Sequence, residues 1–263
     1  MEAFERLIDE LHLEDLRNEL HPSIFDDNEG YDMLIVRLPV IGTELKVKSL
    51  GFVLTKEGSY LYNRDARRFE SIGGRFEGPH EVIDTQVDHM LKGYMHYQDL
   101  VGDMEERLYG DRNMETFMTE WLGLKRDLLR IERVLLRTST VMKEVNDFYA
   151  HTEGFPQNSY IDIDEHIDRV ARSAALQLSK LDYLYSFYNA RTNDKMNKMI
   201  YILTIISAIF LPMNLVVGFF GMNTSGLPFA EGSSGTLDAV LLMLLLVMAT
   251  SAVILLWRKR VEK

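Results

Sequence analysis

The stretch Met199-Ile-Tyr-Ile-Leu-Thr-Ile-Ile-Ser-Ala-Ile-Phe-Leu-Pro-Met-Asn-Leu-Val-Val-Gly-Phe-Phe220 decides how this chain is organised. No charged residue occurs from Met199 to Ala230, and none from Ala239 to Trp257. Each stretch supplies the ~20 apolar residues needed to cross a bilayer core. Twelve Leu, Ile and Val residues between Leu237 and Trp257, at roughly −0.3 to −0.6 kcal/mol each, outweigh the single Asp238 at the edge. Two spans follow, 199–220 and 237–257, joined by a loop over 221–236 and followed by a basic tail, 258–263. Arg191, Lys195 and Lys198 flank the first span, Arg258-Lys259-Arg260 follow the second, and the loop carries no Lys or Arg. By the positive-inside rule the chain is a multi-pass protein of the cell (inner or plasma) membrane, with both termini cytoplasmic and the loop external.

The first span also carries polar atoms in a pattern. Asn197, Thr204, Ser207, Asn214, Gly218 and Gly221 are separated by 7, 3, 7, 4 and 3 residues, which places them on one helical stripe. Small and hydroxyl residues also let membrane helices pack closely, and for Thr204, Ser207 and Gly218 both readings stand. Asn197 and Asn214 fit packing less well, because an amide in a bilayer needs partners for its donors and its acceptor and so marks a bundle interior or a water-filled path. Two helices cannot enclose such a path, so a pore requires several copies with this span innermost. Pro212 leaves the Ala208 carbonyl without its helical donor, which water in a pore satisfies.

Upstream the chain reads as an α+β domain over 1–158. Leu7, Ile8, Leu11, Leu13, Leu16 and Leu20 suggest two short amphipathic helices. Residues 33–41, 48–54, 60–62 and 69–72 are β-branched or aromatic runs broken by Gly42, Glu57-Gly58 and Gly73-Gly74, and the short spacers favour antiparallel hairpins. After Pro79 the period becomes helical. Helices are expected over about 80–109 and 114–149, the second with core positions Leu124, Leu128, Ile131, Leu135, Met142 and Val145. A third opens near Ser159, and its apolar residues recur every three or four positions from Ile163 to Tyr188. It meets no breaker before Pro212. Residues 159–219 therefore read as one helix, roughly 90 Å long at 1.5 Å per residue, with a stalk over 159–198 continuing into the first span.

The composition excludes several functions. The 263 residues hold 40 acidic and 29 basic side chains, a net charge of −11, which argues against nucleic acid as a partner. The mean hydropathy of −0.11 averages a polar domain with two apolar spans. With no cysteine there are no disulfides, thiolate nucleophiles or Cys-based metal sites. The acidic N-terminus lacks the pattern of a cleaved signal peptide. No Gly-rich phosphate loop and no Ser–His–Asp arrangement is readable, so the chain reads as a non-enzyme.

The first span ends in Gly221-Met222-Asn223, and around it Met196-Asn197-Lys198 through Phe220 resembles the pore helix of the CorA family of divalent-cation channels almost throughout. Leu11-His-Leu-Glu-Asp-Leu16, Asp26-Asp27 and Tyr31-Asp-Met-Leu-Ile-Val-Arg-Leu38 are similar to that family's N-terminal opening. The resemblance implies a homopentameric funnel in the lipid bilayer, with a cytosolic domain, a stalk helix continuing as the pore helix, and the second span as an outer ring. Gly221, Met222 and Asn223 would form the external selectivity filter. Thr204, Ser207, Asn214 and Gly218 would line the path, Ile200, Leu203 and Leu211 would form its hydrophobic constriction, and Asn197 would sit at the cytosolic mouth. The implied substrate is a divalent metal cation, Mg²⁺ first, with Co²⁺ and Ni²⁺ as further substrates; no other cofactor is implied. Mg²⁺ gives up its waters reluctantly, so a filter of amides that hydrogen-bonds the hydrated ion suits it better than carboxylates would.

The chain departs from the family in its loop. Family magnesium channels often carry an acidic loop after the signature, whereas Thr224 to Ser234 holds only Glu231, and its Gly226-Leu227-Pro228 is more similar to the zinc-transporting ZntB branch. Gating by cytosolic metal is also implied, with Asp162 and Asp164 as candidate regulatory ligands; a solvated acidic first helical turn is the other reading. The rival from another class is a non-conducting, membrane-tethered signalling or structural oligomer. His89 and His96, seven apart, are a weak metal signal, and the stripe Arg126, Arg130, Arg133 and Arg137 is expected to pair with a neighbouring acidic helix.

Overall fold

The structure, a computed structural model, describes residues 7–110, 115–222 and 235–261, the side chains of the last segment being described at 237, 238 and 240–253. It divides into two compact units, Met1–Ser186 and Phe187–Lys263.

The first unit is built on a five-stranded antiparallel meander, β1 (Ile24–Asn28), β2 (Tyr31–Ile41), β3 (Leu45–Leu54), β4 (Ser59–Asn63) and β5 (Arg68–Gly73), with sheet order matching chain order. Strand β2 is buried at almost every position from Tyr31 to Pro39, so the sheet is covered on both faces. On one face Tyr31, Met33 and Ile35 join Val53, Tyr62 and Phe69 in a core closed by Ile8 and by Leu16 of the short helix α1 (Glu10–Arg17). The alternate residues Leu34, Val36 and Leu38 are buried on the other face. There two long helices, α2 (Glu77–Tyr109) and α3 (Phe117–Tyr149), pack against β2.

These helices bury residues at coiled-coil spacing. In α2 the stripe is Ile83, Val87, Met90, Tyr94, Tyr97, Val101, Met104 and Leu108, alternating steps of four and three. In α3, Leu128, Ile131, Leu135, Thr138, Met142, Val145 and Tyr149 follow the same rule. The first part of α4 (Gln157–Phe220) buries Tyr160, Ile163, Ile167, Val170, Ala174, Leu181 and Leu184. Polar ties fix their register: the Trp121 indole donates to the Leu181 carbonyl at 2.8 Å and stacks on Tyr185, Lys125 pairs with Asp182 at 2.6 Å, and Lys180 pairs with Glu105 at 2.5 Å. The boundary between units falls at Ser186, and α4 as far as Leu184 is a core helix of the first unit.

Four local readings change. Residues 18–23 are not helical, and Leu11 and Leu20 are exposed, so α1 is the one helix described ahead of the sheet. Strand β1 was not expected. Leu124 is half-buried rather than core. Two arginines of the α3 stripe reach backbone carbonyls instead of an acidic helix: Arg137 donates to Ser23, just ahead of β1, at 3.0 Å and Arg130 to Leu45 at 3.5 Å, while Arg126 pairs with the adjacent Asp127 at 3.1 Å.

Gly93 lies in the middle of α2 because the β2 strand passes close by. A methyl there would stand 2.7 Å from the Ile41 Cβ. Overpacking of that kind costs about 1–3 kcal/mol, against about 1 kcal/mol of improved helix propensity. Gly93→Ala is therefore expected to lower the urea midpoint of the first unit, by about 1 kcal/mol in stability; a raised midpoint would mean that Ile41 yields without cost.

Candidate pore face and cytosolic sites

From Phe187 onward the C-terminal part of α4 carries an 18-residue window of mean hydropathy 2.3, of which only 6% is buried. The second apolar helix, α5 (Gly235–Val261), has its described apolar stretch at Val240–Val253. At 100° per residue, the covered residues of α4 from Met199 onward fall within one sector of about 140°: Ile205, Ala208, Ile209, Pro212, Met213, Val216 and Phe220. Val216 is the most enclosed of them, at 7% exposure.

The polar stripe lies on the opposite side. Asn197, Ile200, Leu203, Thr204, Ser207, Leu211, Asn214 and Gly218 are all exposed, and their mean direction is about half a turn from the covered sector. The Thr204 hydroxyl is satisfied within the helix, donating to the Ile200 carbonyl at 2.8 Å. Of the two amides of this face, Asn214 is turned away from the side on which the chain covers itself, and Asn197 stands about a quarter turn from it. Gly221 and Met222 close the helix in a turn and are exposed, while Asn223 lies outside the described residues.

The structure separates the two candidate regulatory carboxylates. Asp162 is 64% exposed and pairs with His166 one turn on, at 3.4 Å. Asp164 is buried and accepts from the Ser139 hydroxyl of α3 at 2.7 Å. Two residues apart on a helix, they point to different sides. Among the described residues no group of three or more His, Asp or Glu gathers to hold a metal within one chain, and His89 and His96 are both exposed.

Burial pushes the Asp164 carboxyl above its ordinary range, although the Ser139 bond and Lys143 oppose this. A pKa raised in the folded state means that the native protein holds the proton more tightly, so stability falls as pH rises between the unfolded and folded values and the deficit persists at neutral pH. Asp164→Asn keeps an oxygen for Ser139 and removes the charge. It is expected to match or exceed the native chain in stability at pH 7, and to lose that advantage below about pH 4, where the Asp164 carboxyl of the native chain is protonated in both the folded and the unfolded state; thermal melts across that range check this.

A second polar cluster, which the sequence did not signal, locks the sheet to the helices. The Asp32 carboxylate of β2 accepts from Arg75 at 2.8 Å and from the Tyr149 hydroxyl at the end of α3. The Arg75 guanidinium lies 5.1 Å from the Phe76 ring centre and 5.3 Å from that of Tyr149. Burial, then the hydrogen bond to Asp32, raises the Tyr149 phenol well beyond its usual range. Burial works against the Arg75 charge, but its bonds to Asp32 and Tyr149 outweigh that and raise its pKa.

Comparisons with known proteins agree with this architecture. The family model described as "CorA-like Mg2+ transporter protein" matches residues 74–260. The chain is 23% identical over 250 residues to the cobalt/magnesium transport protein CorA of Methanocaldococcus jannaschii, covering 85% of this chain and 75% of that one. It is 30% identical over 165 residues to the divalent cation transporter CmaX of Pseudomonas aeruginosa, covering 61% of this chain and 48% of that one. In fold it is similar to the complete structure of the M. jannaschii CorA magnesium transporter, with a TM-score of 0.76 at 18% identity over 95% of this chain and 84% of that one. It is also similar to full-length CmaX, with a TM-score of 0.67 at 17% identity over 95% and 82%. The matched segment takes in all of α2, α3 and α4 and well over half of the sequence: the chain belongs to the CorA family.

Proposed function

We propose that this chain conducts divalent metal cations across a membrane, passively, through a homopentameric pore lined by the exposed face of α4, with Mg²⁺ as the favoured ion and both termini cytoplasmic. The observation that carries the reading is the position of the polar stripe opposite the covered sector, with no acid from Met199 to Ala230. A non-conducting tether has no use for a line of amides on the side that the chain leaves open. The CorA and CmaX relatives, named for cobalt, magnesium and divalent cation transport, support the substrate class. In this reading Asn214 and Ser207 offer hydrogen bonds to a hydrated ion, Gly218 lines the path without narrowing it, and Leu203, Leu211 and Ile200 narrow the path where it is dry. Asn197 stands at the cytosolic mouth, and Gly221, Met222 and Asn223 select at the external one.

One feature favours a second reading, a ZntB-like Zn²⁺ transporter: the external loop has a single acid, Glu231, and the Gly226-Leu227-Pro228 run. Uptake of Mg²⁺, Co²⁺, Ni²⁺ and Zn²⁺ into vesicles, with and without a pH gradient, separates the two. The Mg²⁺ reading predicts flux that is driven by membrane potential and indifferent to the pH gradient; Zn²⁺ uptake that needs the gradient, with no Mg²⁺ flux, would replace it.

Cytosolic metal is proposed to favour a closed pore by bridging copies of the first unit. One chain does not assemble a metal site at Asp162 and Asp164 by itself, so the accessible Asp162 would share the ion with a second copy. Raised internal Mg²⁺ is expected to slow proteolysis of the cytosolic unit, and Asp162→Lys to remove that protection; equal protection in both proteins would sink this assignment.

A further inference from the structure

A concentration of positive charge sits on the sheet of this otherwise acidic chain, far along the sequence from the pore helix. Arg17, Arg64, Arg67 and Tyr62 line an open cleft of about 470 Å³, within the size range of small-molecule sites. Arg17 comes from the last turn of α1, and the other three from the end of β4 and the turn into β5. Among the described residues none of the three arginines forms an ion pair with a carboxylate.

Arg64 is half-buried and held in place. One terminal nitrogen donates to the Ser49 carbonyl, the other donates to the Ser49 hydroxyl at 3.0 Å, and its buried Nε has no partner. A guanidinium in that position keeps its charge without a counter-ion in contact, which is costly unless an anion completes the site. Glu19, at the mouth of the adjoining cleft, acts on Arg64 through space without touching it. Arg67 adds a second oddity: its φ is +48°, the left-handed region that glycine enters most easily, and among described non-glycine residues it is the only one there. The turn therefore holds an arginine where its backbone would be better served by glycine.

We infer that this cleft is an anion site for a phosphate-bearing small molecule, with Arg64 as its fixed floor and Arg17 and Arg67 closing over the phosphate from either side. Guanidinium groups suit this ligand because their paired N–H donors match phosphate oxygens two at a time. Two or three arginines meeting one anion exceed what a single exposed ion pair offers, and the concave site excludes part of the water that screens such pairs. A lipid headgroup and a soluble phosphate share this chemistry, and the probes below distinguish them.

The test is calorimetric titration of the full chain in lipid nanodiscs of neutral lipid, in EDTA and at fixed ionic strength, with pyrophosphate as the probe. EDTA separates the outcome from cation transport, so a failed pore assignment and a failed anion site are distinguishable. Saturable binding by the native chain is expected, weakened at least tenfold by Arg64→Gln and by Arg17→Gln, and unchanged by Arg133→Gln, an exposed arginine of α3. Arg67→Gly supplies the control against misfolding: it relieves the positive φ, so its melting temperature is expected to hold or rise while pyrophosphate binding drops at least tenfold. Adding vesicles that carry a phosphoinositide headgroup reads the lipid source, since competition with pyrophosphate assigns the same cleft to membrane phosphate and lack of competition assigns it to the soluble anion. No saturable binding by the native chain, or equal affinity in native, Arg17→Gln and Arg67→Gly chains, would overturn the inference.

Discussion

Asn223→Ala is expected to reduce divalent-cation uptake into reconstituted vesicles by at least tenfold, with the protein still assembled in the membrane. Asn223 follows Gly221-Met222 in the sequence, and we propose its amide as part of the selectivity filter at the external mouth of the pore. A hydrated divalent ion arrives with its waters in place and keeps most of them. Amide oxygens that accept from those waters are worth about 1 kcal/mol apiece, and a symmetric oligomer removes one amide per copy for each substitution. Losing even two such interactions at the mouth exceeds the 1.4 kcal/mol that corresponds to tenfold. Asn223→Gln keeps the amide on a longer arm and is expected to retain part of the flux. Wild-type uptake by Asn223→Ala would remove the filter from this position.

Asp32→Ala is expected to destabilise the first unit by about 3 kcal/mol, the largest effect of any single polar substitution there. The loss has three parts: the Arg75 guanidinium forfeits its counter-charge, the buried Tyr149 hydroxyl forfeits its acceptor, and β2 loses its tie to α3 and to the turn that precedes α2. Arg75 is 28% exposed and can turn partly to water, which holds the effect below that of a fully enclosed pair. Tyr149→Phe removes one bond and leaves the ion pair, so about half the loss is expected. Urea unfolding of the full chain followed at Trp121 reads both; a shift below 1 kcal/mol for Asp32→Ala would mean that water replaces the carboxylate without penalty.

How much of this was legible in the sequence depended on whether burial follows a repeating pattern. Helices α3 and α4 were readable because Leu, Ile and Val mark most of their buried steps. The core stripe of α2 was not, since Tyr94, Tyr97, Met90 and Met104 occupy half of it and read equally well as surface. Strand β1, Ile-Phe-Asp-Asp-Asn, was hidden by two adjacent acids that an edge strand tolerates because only one side is paired. Strand β2 was found in spite of Pro39, and the register explains why the proline is harmless: β1 pairs with β2 only as far as Ile35, so Pro39 sits where β2 has a neighbour on one side alone.

The same distinction holds for the candidate sites. The polar stripe of α4 was legible because its spacing is a property of one helix. The inward position of Asp164 was not, because it depends on which face of α4 meets Ser139 of α3. The Asp32–Arg75–Tyr149 cluster and the arginine cleft join residues from separate elements, and no spacing along the chain announces either.

The absence of cysteine permits a direct test of the central claim, that the exposed polar face of α4 lines a water-filled path. Single cysteines at Ser207 and Gly218 point along that face, and at the adjacent Ile206 and Val217 they turn 100° away from it. The measurement is vesicle cation flux before and after a membrane-impermeant charged thiol reagent. The account predicts block at Ser207→Cys and Gly218→Cys and none at Ile206→Cys or Val217→Cys; equal block in all four, or in none, would contradict it.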